Sequence, residues 1–325
     1  IFILTFSGLI SFLLYSHGLN PLDVDGRGYY LRAIDVIPNR VNDIYFPVSF
    51  IYSFFFNYIF WGVEDFEAII LVNYLFFVAG LWFVAQFCRV QGFKCNLVLY
   101  FLLVSTPITF RYLYYCGKES FLFFLISGCM FFYAHIVKGK RFSFAFFSYW
   151  VGFITFAAIG TWARPYFLAH LLVPFLVFFG DISFARKVTF GYILCCIFAL
   201  YHFKVEIAHY SKLLFYNSLS LLISPNPFRP ENWAWFVETF VSLLGTVTVF
   251  FYLFSKRLII KFLLLICIYG APGALIVYLL NTSGTTDAYG VFFTRTRFPV
   301  YTFLFFVLGS WFLKKFRIRS AFHVN

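Results

Sequence analysis

Three groups of residues in this chain have the types and spacing to do chemistry. The first is PLDVDGRGYYLRAIDVIPNR at residues 21–40, where Asp23 and Asp25 stand among Gly26 and Gly28 ahead of Tyr29 and Tyr30. Carboxylates held this way beside a lipid headgroup are suited to proton transfer. The second is YYCGKESFLFF, in which Lys118 and Glu119 are neighbours at the head of an apolar run. The third is a set of arginines, Arg111, Arg164, Arg229, Arg295 and Arg297, placed between later apolar runs. A guanidinium fork matches phosphate oxygens in pairs, so arginines that converge can clamp a diphosphate. Each group also has a plainer explanation. The charges of 21–40 can be solvated on an interfacial helix, the macrodipole alone favours Glu119 at a helix N-terminus, and single arginines bind anionic headgroups.

The elements that must position these groups follow from composition. The chain is 62% hydrophobic and 12% charged over 325 residues, with a mean hydropathy of +0.85. Soluble domains are about 45–50% apolar, so lipid must solvate most of this surface. Every backbone polar group in lipid has to be paired within its own segment or barrel. Stretches such as LLLICIYGAPGALIVYLL show no period-two alternation, which argues for helices over a barrel. The expected fold is therefore all-α, a polytopic transmembrane bundle forming one integral membrane domain over 1–325.

Apolar segments fall near 1–17, 47–62, 68–88, 97–115, 119–136, 143–162, 166–180, 188–203, 234–254, 258–280 and 298–313, about eleven in all, with a weaker candidate near 213–223. The first reads as a spanning helix, since no small-residue cleavage site follows it. The net charge of +12 is spread in short clusters, CRVQGFK (88–94), KGKR (138–141), ARK (185–187), SKR (255–257) and KKFRIR (314–319). By the positive-inside rule these face the cytoplasm. The loops near 111–120, 161–166, 204–233 and 281–297 then face outward, and so carry the five arginines. No contiguous basic face exists to track phosphates, so nucleic acid is not an expected partner. The seven cysteines lack CxxC pairing and read as buried, inert thiols.

Within the first loop, 18–46, Tyr30, Ala33, Ile34 and Ile37 fall at i, i+3, i+4 and i+7. That pattern predicts a short amphipathic helix ended by Pro38, with Asp23 and Asp25 in a flexible turn ahead of it. Segment 47–62 is short for a span and begins with a proline. If it spans, loop 18–46 is cytoplasmic; if it is re-entrant, that loop faces outward. Periodicity leaves both open.

An Asp-bearing loop after the first helix, then GYYLRA and YFPVSFI, resembles the start of membrane glycosyltransferases with the C-type fold. LLVSTPITFRYLYYCGKESFLFFLI, GTWARPYFLAHLLVPFLV and TRTRFPVYTFLFFVLGSWF resemble their later acidic-headed helix, arginine-proline helix and arginine-rich loop. O-antigen polymerases are similar as well, with a Lys-Glu-headed helix and arginines in outward loops. The first loop here has no adjacent acidic pair, and the second acidic residue comes as Lys-Glu. Both resemblances imply a glycan donor on a polyprenyl phosphate or diphosphate, cell-surface polysaccharide or glycoconjugate assembly, and the bacterial inner membrane. They imply Asp25 or Asp23 as general base, or as ligand of a divalent metal. They imply Lys118, Arg164, Arg295, Arg297 and Arg229 as stabilisers of the departing phosphate, with Glu119 orienting the acceptor or holding Lys118. Tyr29, Tyr30 and Tyr114 would stack on sugar faces, although membrane-interface belts enrich tyrosine for packing alone.

Two other classes compete. A lipid-linked glycan flippase or transporter would use the same arginines to draw in an anionic headgroup, but would carry internal repeats and midplane charges. A structural membrane protein predicts no convergence of the loop charges.

Overall fold

The computed structural model describes residues 24–35, 46–59, 66–93, 117–139, 143–164, 167–179, 206–214, 236–255 and most of 300–311, with isolated positions such as 113, 187 and 261. Among the described residues every regular element is helical. In chain order they are α1 (Val24–Ala33), α2 (Phe46–Phe54) continued by a π-turn (Phe55–Ile59), α3 (Phe66–Gln91), α4 (Glu119–Lys138), α5 (Phe144–Ala163), α6 (Phe167–Phe178), α7 (Phe236–Ser255) and α8 (Thr302–Trp311). A further helical stretch covers 207–214. The expected segments at 1–17, 97–115 and 258–280 lie outside the described residues, isolated positions apart, and of 188–203 the structure describes scattered positions, all helical.

Three helices, α3, α4 and α5, are long and apolar enough to cross a membrane. The 20 residues of α4 and of α5 reach about 30 Å at about 1.5 Å per residue, the thickness of a hydrocarbon layer. The chain is thus an integral membrane protein built of helices. α4 is the central member, packed on α3, α5 and α6. Of its most apolar 18-residue stretch 67% is buried, against 39% for α3 and 6% for α5, so α5 is the least enclosed of the three.

Lipid gives helices no hydrophobic reason to associate, so close packing has to hold them. Here phenylalanines fill the surfaces of glycines on neighbouring helices. A Cβ on Gly80 of α3 would come 2.7 Å from the Phe123 ring of α4, and one on Gly152 of α5 would come 2.8 Å from Phe132 of α4. Gly128 of α4 in turn lies under Phe156 of α5, too close for any side chain. Around these contacts runs an aromatic spine. Phe76 packs on Phe121 at 4.8 Å, Phe124 on Phe156 at 5.1 Å, and Phe83 stands edge-on to Phe156 at 5.7 Å. Each such pair contributes roughly 0.5–1.5 kcal/mol beyond the area it buries.

The helix directions are fixed by contacts at the two ends of α4. At its C-terminus Lys138 Nζ donates to the Val90 carbonyl near the end of α3, so α3 and α4 run parallel. The same end gathers Phe87 of α3, Phe178 of α6 and Phe303 of α8, with ring centroids 5.3 Å and 5.4 Å from Phe87. Tyr252 of α7 joins Phe178 at 5.9 Å and Trp311 at 4.9 Å. Buried Lys261 donates to the Leu176 carbonyl at 3.1 Å, a cation at the C-terminal end of α6 where the macrodipole favours it. The helix ends that lead into all five basic clusters therefore share one end of the bundle, the Lys138 end.

At the opposite, Glu119 end, α2 runs beside the start of α3. Tyr52 meets Asn73 and Phe55 meets Phe76, so both contacts advance three residues in the same direction. A nine-residue helix and a five-residue π-turn reach only about 21 Å at about 1.5 Å per residue, short of a crossing. The segment 46–59 enters the bundle from the end where α3 also begins, which is a re-entrant course. Its outer face, Phe50, Phe54, Tyr58 and Ile59, is exposed on the bundle surface.

The amphipathic helix exists with other boundaries than its periodicity predicts. α1 starts at Val24, so Asp25, Gly26 and Gly28 lie inside it rather than in a turn ahead of it. Two helical glycines cost about 0.5–1 kcal/mol each, and docking of Tyr29 and Ala33 on the core outweighs that penalty. An acidic residue in the first helical turn is also favoured by the macrodipole. The helix stops before Pro38 is reached, because Asp35 adopts a left-handed backbone with φ 61°.

Candidate functional site

The Glu119 end is where the described candidates meet. α4 begins directly at Glu119 because an apolar run follows it, and Leu122 N–H closes the first turn on the Lys118 carbonyl at 2.8 Å. Glu119 is 1% exposed, so its carboxylate sits inside the protein at a helix N-terminus, the position the macrodipole favours. Lys118, half-buried beside it, donates to the Ala163 carbonyl at 3.4 Å and lies 6.0 Å from the centre of the Tyr29 ring. One side chain thus joins the start of α4, the end of α5 and the first-loop helix α1.

Arg164 caps the C-terminus of α5. Its N–H donates to the Gly160 carbonyl at 2.9 Å, and its own carbonyl accepts from Phe167 N–H at 2.8 Å, so the residue forms the corner between α5 and α6. Its backbone is extended there, and Gly160 leaves room for the Phe167 ring to fold back over the corner. The side chain is 4% exposed. Burying a guanidinium in or beside lipid costs several kcal/mol unless polar groups surround it. His170 is buried one turn into α6.

Tyr52 and Asn73 complete the polar end. The Tyr52 hydroxyl lies 2.8 Å from Asn73 Oδ1 and 2.6 Å from the Gly117 carbonyl, both acceptors that share its proton. Asn73 Nδ2 donates to the Leu113 carbonyl at 3.2 Å. That donation fixes the amide orientation, since a flipped amide would set its oxygen against another oxygen. A backbone carbonyl inside a membrane protein has to be paired, and these two side chains pair those of Gly117 and Leu113.

The structure therefore brings Lys118, Glu119, Arg164 and Tyr29 to one end. Tyr29 is buried under Lys118, and Tyr30 beside it is partly buried on the core. Of Asp25 the structure describes the backbone alone, within α1. Asp23, Tyr114, Arg229, Arg295 and Arg297 lie outside the described residues, as does Arg111. Among the described residues no three of His, Cys, Asp and Glu stand together as a metal-binding group. His170, Asn73 and Tyr52 were not singled out from the sequence. A signal existed for two of them: Asn73 and His170 are isolated polar residues in the runs AIILVNYLFF and FLAHLLVPF, and such residues default to a functional or packing role.

Two buried or half-buried cations beside a carboxylate can hold an anionic group and orient a hydroxyl near it. No protein family, no curated protein and no solved structure matches the chain.

Proposed function

We propose that this protein is a membrane glycosyltransferase that moves a sugar or glycan from a polyprenyl phosphate or diphosphate donor during cell-surface polysaccharide or glycoconjugate assembly. Polymerisation of a lipid-linked repeat unit is the close variant of the same chemistry. The observation that carries the proposal is the grouping of Lys118, Glu119 and Arg164 at one buried end, with α1 docked on it through Tyr29. An ionisable group drawn inside a membrane bundle is costly, which makes it a functional-site candidate by default. About eleven membrane segments sit in a bacterial inner membrane, the Lys138 end facing the cytoplasm by its basic clusters and the Glu119 end facing outward.

In the reaction the acceptor hydroxyl oxygen attacks the anomeric carbon and the bond from that carbon to the phosphate oxygen breaks. The electron pair leaves with the phosphate, and the hydroxyl proton passes to Asp25 or Asp23 as general base. Lys118 and Arg164, with Arg229, Arg295 and Arg297 from the later outward loops, stabilise charge gathering on the phosphate. Glu119 orients the acceptor or holds Lys118.

The test compares Asp25→Asn and Asp23→Asn separately in membranes with equal protein levels. A catalytic base contributes about 10²–10⁴-fold in rate, whereas a solvated surface carboxylate is lost within about 0.5 kcal/mol of stability. One variant should lose transfer by at least the lower figure while still binding the lipid-linked donor. Normal transfer by both removes the base from the first loop. Movement of labelled lipid across the bilayer without any sugar transfer replaces the reading with a transporter.

A further inference from the structure

α4 begins without help from its own cap. Lys118 at the N-cap has φ −99° and ψ 0° and makes no side-chain capping bond. The chain just ahead of it is held from neighbouring helices. The carbonyl of Gly117, the residue immediately before Lys118, accepts from Tyr52 of the re-entrant α2, and the carbonyl of Leu113 accepts from Asn73 of α3. The bond between Tyr52 and Asn73 ties the two holders together. Both side chains are buried, with Tyr52 1% and Asn73 1% exposed, so water cannot replace either bond without opening the bundle.

We infer that Tyr52 and Asn73 are positioning residues, a two-residue brace that sets the Lys118–Glu119 turn and makes the re-entrant segment part of the site. The inference deepens the glycosyltransferase reading and rests on it for its kinetic consequence. Neither residue is among the candidate reacting groups; each acts through one carbonyl, that of Gly117 or that of Leu113. It also accounts for a segment too short to span: α2 brings one hydroxyl to the carbonyl that precedes the candidate charges.

The experiment uses the full chain in lipid nanodiscs, with Tyr52→Phe, Asn73→Leu and the double variant. Tyr52→Phe keeps the ring and its packing and removes one hydroxyl. Backbone hydrogen exchange over 117–122 should rise about tenfold, with exchange in α5 and α6 unchanged. The double variant should raise it little further, since both residues brace one turn. Per folded protein, kcat for transfer from a polyprenyl-linked donor should fall about ten- to a hundredfold, with KM for the donor nearly constant. A merely structural role would spread exchange over the whole bundle and leave kcat per folded protein intact. Unchanged exchange at 117–122, additive effects of the two substitutions, or a local rise with normal kcat each overturn the inference. Should the unaltered protein transfer no sugar, the glycosyltransferase reading fails, and the exchange arm, which needs no substrate, still decides whether the brace exists.

Discussion

The two ends of α4 carry similar residue types in opposite settings. At one end Glu119 is inside the protein, Lys118 bridges to Ala163, and Arg164 is buried at the neighbouring corner. At the other end Lys138 and Arg89 are exposed, and Lys138 merely reaches the Val90 carbonyl as a last-turn cation does. His135 there stacks on Tyr149 at 4.5 Å, in a helix end closed by Gly139. Composition alone does not separate these ends; depth does. A charge at a solvated end costs almost nothing and needs no explanation, whereas charges drawn inside have to be held there by their surroundings.

The sharpest way to break the comparison is to ask which end faces out. A reporter enzyme active only outside the cytoplasm should be silent when fused after Lys140 and active when fused after Thr286. The reverse pattern in colonies would invert the bundle and remove the outward site. Next in size is the effect on chemistry. Arg164→Lys keeps the charge and loses the fork, and Glu119→Gln keeps the shape and loses the charge, so each should lower sugar transfer by about 10²-fold or more. Lys138→Gln, made alongside, should transfer normally and unfold within about 0.5 kcal/mol of the parent. Equal losses at both ends in the same assay would mean that depth does not mark function here. The smallest effect belongs to the packing between the ends. Gly128→Ala puts a Cβ into the Phe156 ring and should cost about 1–3 kcal/mol in thermal or denaturant unfolding. Adding Phe156→Leu should recover part of that loss, and a fully tolerated Gly128→Ala would show the helices free to move apart.

Most of the helices were legible because apolar length is a strong signal. The runs at 119–136, 143–162 and 166–180 correspond to α4, α5 and α6 within about two residues. Glu119 at a helix start followed from the polar GKES ahead of FLFF. What failed was the beginning of α1. Glycines at 26 and 28 argue locally for a turn, and only docking of Tyr29 on the core makes a helix there. The course of 46–59 was equally hidden, since a short apolar run has the same pattern whether it crosses or returns. Its direction came from Tyr52 and Asn73, a contact between positions 21 apart that no local pattern encodes. The burial of Arg164 was half visible, as a charge beside an apolar run, but its place at a corner depends on how α5 and α6 fold back.

The glycine–phenylalanine interlock also dictates an order of events during synthesis. α4 offers Phe123 to Gly80 of α3, which is made before it, and receives Phe156 of α5 on Gly128, made after it. Until α5 emerges, the hollow over Gly128 can be filled only by lipid or by the insertion machinery. α4 thus reaches its final seat late, as the middle piece of a three-helix unit, and a ribosome stalled before Phe156 would leave the central helix of the bundle unlocked.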